Sequence, residues 1–185
     1  LIHEGIGSVI YDPCGQFQIG EPVVMIPNLP VEEDAVIAEN YLRSSGFRAS
    51  GMDGFLQEYV QTTSDRLIRL PGKVNPMVAA FTELVSVSYH ALTRWLNTAH
   101  ARREEAAVWG DGNLGYITAL LLHYLCPQMK LYVVGVHEEK LSYFTFADET
   151  FLTSQLTDDF AFDHALECVG GQAAQYAVNQ MIAHI

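Results

Sequence analysis

The 185-residue sequence predicts an α/β fold, in which a β-rich first part precedes a parallel sheet wound with helices. Short apolar runs bounded by Gly and Pro fill the first 70 or so residues. Apolar residues then recur at spacings of three and four over residues 75–100, and later residues alternate between strand and helix patterns. We therefore expect three regions: a β domain at 1–74, a bridging helical segment at 75–102 and a dinucleotide-binding domain at 103–185.

The β-rich region contains three predicted strands, at residues 7–11, 22–27 and 54–60. The second is bounded by proline at both ends, and the third alternates as a half-buried strand does. Between them we expect an irregular segment with a short helical piece at residues 35–42. No internal repeat or low-complexity stretch appears in the sequence.

A glycine-rich segment carries the most specific motif of the chain. Gly110, Gly112 and Gly115 form G-x-G-x-x-G after an apolar run and before an apolar helical pattern. In that context the glycines allow a tight turn, approach of a pyrophosphate and close helix packing. The N–H groups at the helix start, around Asn113 and Leu114, would face the phosphates. We predict a dinucleotide-binding turn; a glycine-rich βα turn that binds nothing is the alternative.

The strand predicted at residues 131–136 bears on the choice of cofactor. An NAD-binding fold usually ends this strand with Asp or Glu, which binds the ribose 2′-hydroxyl. Here the position is His137, and Lys140 follows, so cationic side chains would suit the 2′-phosphate of NADP. Glu138 and Glu139 carry the opposite charge, so NAD, or a solvated turn without a ligand, stays open as an alternative.

Another strand is predicted within residues 161–171, followed by a helix over residues 173–185. Ligands bind at the carboxyl ends of parallel strands, which places Val169 and Gly170 beside the nicotinamide half of the cofactor. A plain βα turn explains these residues equally well.

Composition restricts the classes of function. A net charge of −12 argues against binding to nucleic acid or an anionic membrane surface. The cysteines, Cys14, Cys126 and Cys168, lack C-x-x-C spacing, and reduced, cytoplasmic surroundings are expected. The longest apolar helical run is too short to span a bilayer. The chain starts in a strand pattern and stops in a helical one, so we expect an internal fragment.

The segment Ile2-His3-Glu4-Gly5-Ile6-Gly7, followed by the glycine turn, resembles the medium-chain alcohol dehydrogenase family. The resemblance implies a partial GroES-like β domain followed by a partial Rossmann doubly wound parallel sheet. It also implies a zinc site with His3, Glu4 and Glu83 as ligands and with Glu4 and Glu83 as catalytic residues. Glu83 lies in a segment that lacks the proline of the family pattern, and the upstream cysteine ligand of the family is not in the chain.

Several longer segments resemble one subgroup, the NADPH-dependent ribulose-5-phosphate reductases that make ribitol 5-phosphate for teichoic acid and related cell-wall polymers. These segments are residues 24–32, 39–48, 54–59, 108–116 and 168–171. The resemblance implies one catalytic Zn²⁺ and no structural zinc, because the usual four-cysteine lobe is missing. It further implies a homo-oligomer when full length, with a cytidylyltransferase as downstream partner.

The expected reaction is reduction of D-ribulose 5-phosphate, with the carbonyl polarised by zinc and hydride transferred from the nicotinamide. A sugar phosphate needs cations, and Arg43 or Arg48 in the irregular segment could bind it, although two solvated arginines are as plausible. Two alternatives stay open. One is an NAD-dependent polyol dehydrogenase of sorbitol or xylitol type, and the other is a catalytically silent nucleotide-binding module.

Overall fold

The first unit of the fold ends at Leu84 and the second comprises Val85–Ile185. Both belong to a computed structural model that describes residues 2–157 and 159–185. The boundary between the two units falls inside the segment that the sequence predicts to be a helical bridge.

Short antiparallel strands build the first unit. They are β1 (Ile6–Ser8), β2 (Pro22–Met25), β3 (Asn28–Leu29), β4 (Gly46–Phe47) and β5 (Leu67–Arg69). Strand β2 lies between β1 and β5 in one sheet, and β3 pairs with β4 in another. Val23, Val24 and Met25 of β2 are buried, because this central strand has a partner on each side. The predicted strand at residues 22–27 is thus confirmed.

The strand predicted at residues 54–60 is wrong. The N–H of Phe55 donates to the carbonyl of Ile2 at 2.7 Å, and that of Gln57 donates to the carbonyl of Phe55 at 2.8 Å. The first bond ties the segment to the beginning of the chain and the second closes a local bend, and residues 54–60 have no strand pairing. Phe55 is buried, whereas Leu56 and Tyr59 are exposed, so the apolar alternation reflects one anchoring residue and not a sheet face.

Two other predicted elements of the first unit are shorter than expected. The strand predicted at residues 7–11 is β1, which ends at Ser8. The helical piece predicted at residues 35–42 reduces to a single 3₁₀ turn, Glu39–Tyr41. Asp34 explains part of this difference, because its carboxylate accepts the N–H groups of Val36 and Ile37 at 2.8 Å in a local turn.

The helical segment predicted over residues 75–100 forms two helices, α1 (Pro76–Ala79) and α2 (Thr82–Thr98). The side chain of Asn75 caps α1 by accepting the N–H of Met77 at 2.9 Å. Among the described residues, no helix combines the length and apolar character needed to cross a bilayer.

The second unit is a parallel sheet with helices on both faces. Its elements are β6 (Glu105–Trp109), α3 (Asn113–Leu125), β7 (Lys130–Gly135), α4 (Glu138–Leu141), β8 (Glu149–Leu152), β9 (His164–Glu167) and α5 (Ala174–Ala183). The strand order is β8-β7-β6-β9. The apolar run before the glycine motif is strand β6. The strands predicted at residues 131–136 and within 161–171 and the helix predicted at 173–185 are confirmed, as is the α/β fold class.

Strand β8 is absent from the predicted elements. The sequence predicts the end of a short helix or a loop up to residue 149, and the strand begins at that residue. It pairs with β7 at one edge of the sheet. Four residues give too short a pattern to distinguish an edge strand from a loop.

Buried residues cover both faces of this sheet. Val108 and Val133 pack on one face with Leu92 of α2 and Leu122 of α3. On the other face a second cluster joins Trp109, Val134, Phe162 and Ala177. Burial on both faces explains why the strands read as continuous apolar runs instead of alternating ones.

Candidate dinucleotide and metal sites

Backbone contacts on both sides hold the turn that follows β6. The N–H of Gly110 donates to the carbonyl of Val134 in β7 at 2.8 Å. Gly110 has a φ of 134°, a conformation that favours glycine. A Cβ atom there would lie 2.7 Å from the carbonyl oxygen of Cys168, just after β9. The tight turn therefore requires glycine at this position.

The other two glycines of the motif have opposite surroundings. Gly115 is buried in α3, and a side chain there would overlap the carbonyl oxygen of Gly110. Gly112 is exposed, and no described atom lies within 4 Å of the position where its Cβ would be. Gly115 thus allows close packing, while Gly112 leaves the open space that a pyrophosphate needs.

Helix α3 begins directly at this open space. Gly112 occupies the N-cap position and has no side chain that could accept the first N–H groups of the helix. Asn113 is exposed and Leu114 is half-buried, so the predicted phosphate-binding residues lie at the start of α3. A helix N-terminus of this kind attracts anions through its N–H groups and its dipole.

Asp111 connects the glycine turn to the end of β7. Its Oδ2 atom accepts the N–H groups of Val136 at 2.8 Å and His137 at 2.7 Å, and lies 3.0 Å from Nδ1 of His137. Burial of Asp111 opposes ionisation, but these donors outweigh it and hold the pKa of the carboxyl below its usual value. The carboxylate therefore fixes the backbone and the ring of His137.

A cleft of about 400 Å³ opens beside this turn. Its walls come from the turn, the first part of α3 and the segment after β7: Asp111, Gly112, Asn113, Tyr116, Lys140, Tyr143 and Phe144. Lys140 is exposed and is a basic residue at the rim. Of the predicted cofactor residues, Gly112, Asn113 and Lys140 thus line one cleft, and His137 is not among its lining residues.

The end of β9 also lies next to the glycine turn. The carboxylate of Glu167 accepts the N–H groups of Val169 and Gly170, each at 2.7 Å. Gly170 has a φ of 66°, which suits glycine, and both residues are exposed. The Cys168 N–H donates to the carbonyl of Trp109 at 2.7 Å, so β6 and the segment after β9 stay paired up to the turn.

In the first unit, His3, Glu4 and Glu83 form a second candidate site, referred to below as the histidine–carboxylate cluster. One ligand atom of each lies within 4.8 Å of the others. The Nδ1 atom of His3 is 3.2 Å from the Glu83 carboxylate and 3.7 Å from that of Glu4. Nitrogen and carboxylate oxygen are ligands that zinc accepts, so the residues that the family resemblance implies as ligands lie together in this structure.

The electrostatics of this cluster fit a cation. Burial raises the pKa of Glu83 above its usual value, and the nearby carboxylate of Glu4 adds to the rise, while His3 opposes it. The Nδ1 atom of His3 is buried and faces the Glu83 carboxylate at 3.2 Å. A metal ion would satisfy this nitrogen and offset the repulsion between the two carboxylates.

Close packing positions the segment that carries His3 and Glu4. A side chain at Gly54 would overlap the carbonyl oxygen of Ile2, and a Cβ at Gly5 would lie 2.6 Å from Cε of Met25. The ring of Phe47 contacts the His3 ring edge-on, with centroids 5.4 Å apart. The turn at Gly54 and strand β4 thus hold the histidine, although the sequence reads the Gly54 segment as a strand.

The two arginines predicted as phosphate ligands differ in their surroundings. Arg48 donates to the carbonyl of Gln61 at 2.6 Å and lies over the ring of Phe55, 5.5 Å from its centroid. Arg43 is exposed. A phosphate would therefore meet Arg43 in a solvated position, whereas Arg48 is already engaged by its own chain.

Asp111 is the functional candidate that the sequence analysis misses. It stands at an unspecified position of the G-x-G-x-x-G motif, where no particular side chain is expected. Two features of the sequence together could have identified it. An acid stands inside the motif, and the acid expected at the end of the next strand is replaced by His137.

Comparisons with known proteins show which reductases the chain resembles. No protein-family model matches it. It is 52% identical over 185 residues to the ribulose-5-phosphate reductase of Bacillus spizizenii. The matched region covers 100% of this chain and 54% of that relative. The chain thus spans about half the length of the curated relatives it matches. This similarity confirms the resemblance to ribulose-5-phosphate reductases.

Solved structures support the same relationship. The Staphylococcus aureus TarJ structure in complex with NADPH matches with a TM-score of 0.79 and 40% identity, over 100% of this chain and 51% of that one. Galactitol-1-phosphate dehydrogenase from Escherichia coli matches with a TM-score of 0.80, over 97% and 55% of the two chains. At 20% identity the latter likeness concerns the fold alone.

Proposed function

We propose that this chain, a homologue of ribulose-5-phosphate reductases, forms part of an NADPH- and zinc-dependent enzyme that reduces D-ribulose 5-phosphate to D-ribitol 5-phosphate. One observation carries the proposal: a G-x-G-x-x-G turn opens onto a cleft, in a chain that matches 51% of an NADPH-bound relative over the whole of its own length. The homology to reductases supports the substrate. The geometry of the turn supports the cofactor.

The glycine turn would hold the pyrophosphate of NADPH. The space at Gly112 and the N–H groups of Asn113 and Leu114 suit an anion at the start of α3. His137 and Lys140, both exposed beyond the end of β7, would contact the 2′-phosphate. Val169 and Gly170 follow β9 next to Gly110 and would line the nicotinamide half. NADPH supplies the hydride when it is bound.

The histidine–carboxylate cluster would hold Zn²⁺. Its donor set, one imidazole and two carboxylates, fits the ion, as does the buried Nδ1 of His3. When bound, zinc supplies a Lewis acid for the carbonyl of the substrate. His3 and Glu83 are proposed as fixed ligands, because the Glu83 side chain is only 10% exposed. Glu4, at 32%, is proposed to exchange or to orient the site.

The sugar phosphate requires a cation, and Arg43 is proposed as the residue that binds it. Arginine offers paired N–H groups that match a phosphate, and the Arg43 side chain is exposed. Arg48 would instead support the site by holding the carbonyl of Gln61. We further propose a cytoplasmic enzyme that acts as a homo-oligomer and hands its product to a cytidylyltransferase.

An NAD-dependent polyol dehydrogenase is the second candidate, and the exposed acids Glu138 and Glu139 beyond the end of β7 are the observation that favours it. A carboxylate in this region is the group that normally binds a ribose 2′-hydroxyl. Steady-state rates on the whole protein separate the two functions. We expect fast oxidation of NADPH with ribulose 5-phosphate, slow oxidation of NADH and no turnover of unphosphorylated ribulose. Turnover of a free polyol with NAD⁺ would favour the dehydrogenase instead.

A further inference from the structure

We propose that Asp111 is a positioning residue that sets the preference for NADPH, by holding His137 against the end of β7 so that its ring meets the 2′-phosphate. The inference rests on the proposed function, because it assumes that the cleft beside the glycine turn binds a dinucleotide. It concerns a residue of the motif to which the resemblance assigns no role.

The contacts of Asp111 all converge on one residue and its neighbour. A single oxygen, Oδ2, accepts the backbone N–H groups of Val136 and His137 and lies 3.0 Å from Nδ1 of the His137 ring. Backbone and ring are thus tied to the same atom. Because Nδ1 faces the carboxylate, Nε2 is the ring nitrogen that a ligand can reach.

The fold makes room for this arrangement. Strand β7 ends at Gly135, where a Cβ would lie 2.8 Å from both Cβ and Oδ2 of Asp111 and 2.9 Å from Cδ2 of Leu141. Only 9% of the Asp111 side chain is exposed, against 56% of the His137 side chain. The carboxylate is therefore an internal support, and the histidine is the part that faces solvent.

The same contacts explain why this acid would not select NADH. A carboxylate selects NADH when its oxygens are free to accept the ribose hydroxyls and to repel a 2′-phosphate. Here the charge of Asp111 is directed to two backbone N–H groups and an imidazole of the protein itself. The carboxylate thus stands in the glycine turn, and the position beyond β7 where NAD-binding folds usually carry an acid holds His137.

Lys140 completes the proposed environment of the phosphate. It lies one turn beyond His137 and lines the same cleft as Asp111. With both side chains present, a 2′-phosphate would meet an imidazole and an ammonium group at the rim, while the buried carboxylate stays behind the imidazole. Glu138 and Glu139 are exposed, so water screens their opposing charge.

Dissociation constants for NADPH and NADH, measured by fluorescence titration of the whole protein, test the inference. Asp111→Asn keeps the shape of the side chain and removes its charge. We expect the NADPH constant to rise about tenfold and the NADH constant to change less than about threefold. Adding Asp111→Asn to a His137→Ala background should produce no further loss of preference. Gly135→Ala, which displaces the same carboxylate, should reproduce the effect.

Asp148→Asn is the matched control. The carboxylate of Asp148 accepts the N–H of Leu131 at 2.7 Å, so it supports the opposite end of the same strand. This variant should lower stability without changing the preference for NADPH. Equal weakening of both cofactors by Asp111→Asn would overturn the inference, as would tighter NADPH binding. If the wild-type protein binds NADPH and NADH equally well, the proposed cofactor is wrong and the inference fails with it.

Discussion

The Nδ1 atom of His3 lies 3.2 Å from Oε2 of Glu83, although eighty residues separate them along the chain. The contact brings the segment before β1 and the first turn of α2 together, with Glu4 as the third member. An imidazole nitrogen and two carboxylate oxygens this close together form a donor set that a zinc ion accepts. This relationship is the strongest structural support for a metal in the first unit.

His3→Ala should abolish zinc retention by the whole protein, because it removes the only nitrogen ligand of the cluster in the described residues. Metal content per subunit after dialysis measures the effect. His90→Ala is the control, since His90 is exposed on α2 and lies outside the cluster. A His3→Ala protein with full zinc content would contradict the assignment.

Gly112→Ala should fold normally and bind NADPH at least about tenfold more weakly. The added methyl group meets no protein atom within 4 Å, so stability should change by less than about 1 kcal/mol. It would occupy the space assigned to the pyrophosphate. Thermal unfolding and cofactor titration measure the two effects. Unchanged NADPH binding would show that the pyrophosphate does not lie at Gly112.

Gly115→Ala tests the close packing between α3 and the turn, whereas Gly112→Ala tests the open space. Its methyl group would overlap the carbonyl oxygen of Gly110, so α3 would have to move away from the turn. Overpacking of this kind typically costs about 1–3 kcal/mol. We expect a lower unfolding temperature together with weaker NADPH binding. A Gly115→Ala protein as stable as the wild type would contradict the close packing described for the turn.

Arg43→Ala should raise the Michaelis constant for ribulose 5-phosphate about tenfold and leave that for NADPH unchanged, because a charge-assisted contact to the phosphate is lost. Arg48→Ala should instead lower stability, since it frees the carbonyl of Gln61 and exposes the ring of Phe55. Steady-state kinetics with both substrates distinguish the two roles. Equal changes in both Michaelis constants for Arg43→Ala would refute its contact with the phosphate.

His164 should make stability depend on pH. It is buried, Nδ1 faces the indole N–H of Trp95 at 3.3 Å, and Nε2 lies 2.8 Å from the carbonyl of Arg102. Burial lowers the pKa of His164 below its usual 6.5, and the stacked His100 lowers it further. Protonation of His164 would place an N–H at Nδ1, where it would face the indole N–H of Trp95.

The folded state therefore binds the proton of His164 less well than the unfolded state. Its contribution to stability is fully present above pH 6.5 and is lost as the pH falls below that value towards the lowered pKa. The unfolding midpoint should drop between about pH 7.5 and about pH 5.5, and it should drop less in a His164→Gln variant. An equal drop in both proteins would contradict this role.

The second unit was largely predictable, because parallel strands buried on both faces leave continuous apolar runs and the glycine motif marks the turn between β6 and α3. Strand β8 was not predicted, because four edge residues carry no clear pattern. In the first unit a strand was wrongly predicted at residues 54–60, since one buried phenylalanine imitates strand alternation. The spacing of apolar residues alone cannot distinguish a loop held by one buried side chain from a strand paired in a sheet.

The candidate sites divide in the same way. Gly110, Gly112 and Gly115 follow from local sequence, because the motif spans six residues with a known turn geometry. The grouping of His3 with Glu83 came from family resemblance, since contacts between distant residues have no local signature. Asp111 was missed because its role depends on which N–H groups the next strand brings near it.

The measurement that tests the central claim most directly is identification of the product formed by the whole protein from NADPH and ribulose 5-phosphate. We predict ribitol 5-phosphate, formed in equal amount to NADP⁺, with NADH a poor substitute and with loss of activity in His3→Ala. Formation of a different product, or equal rates with NADH and NADPH, would contradict the account.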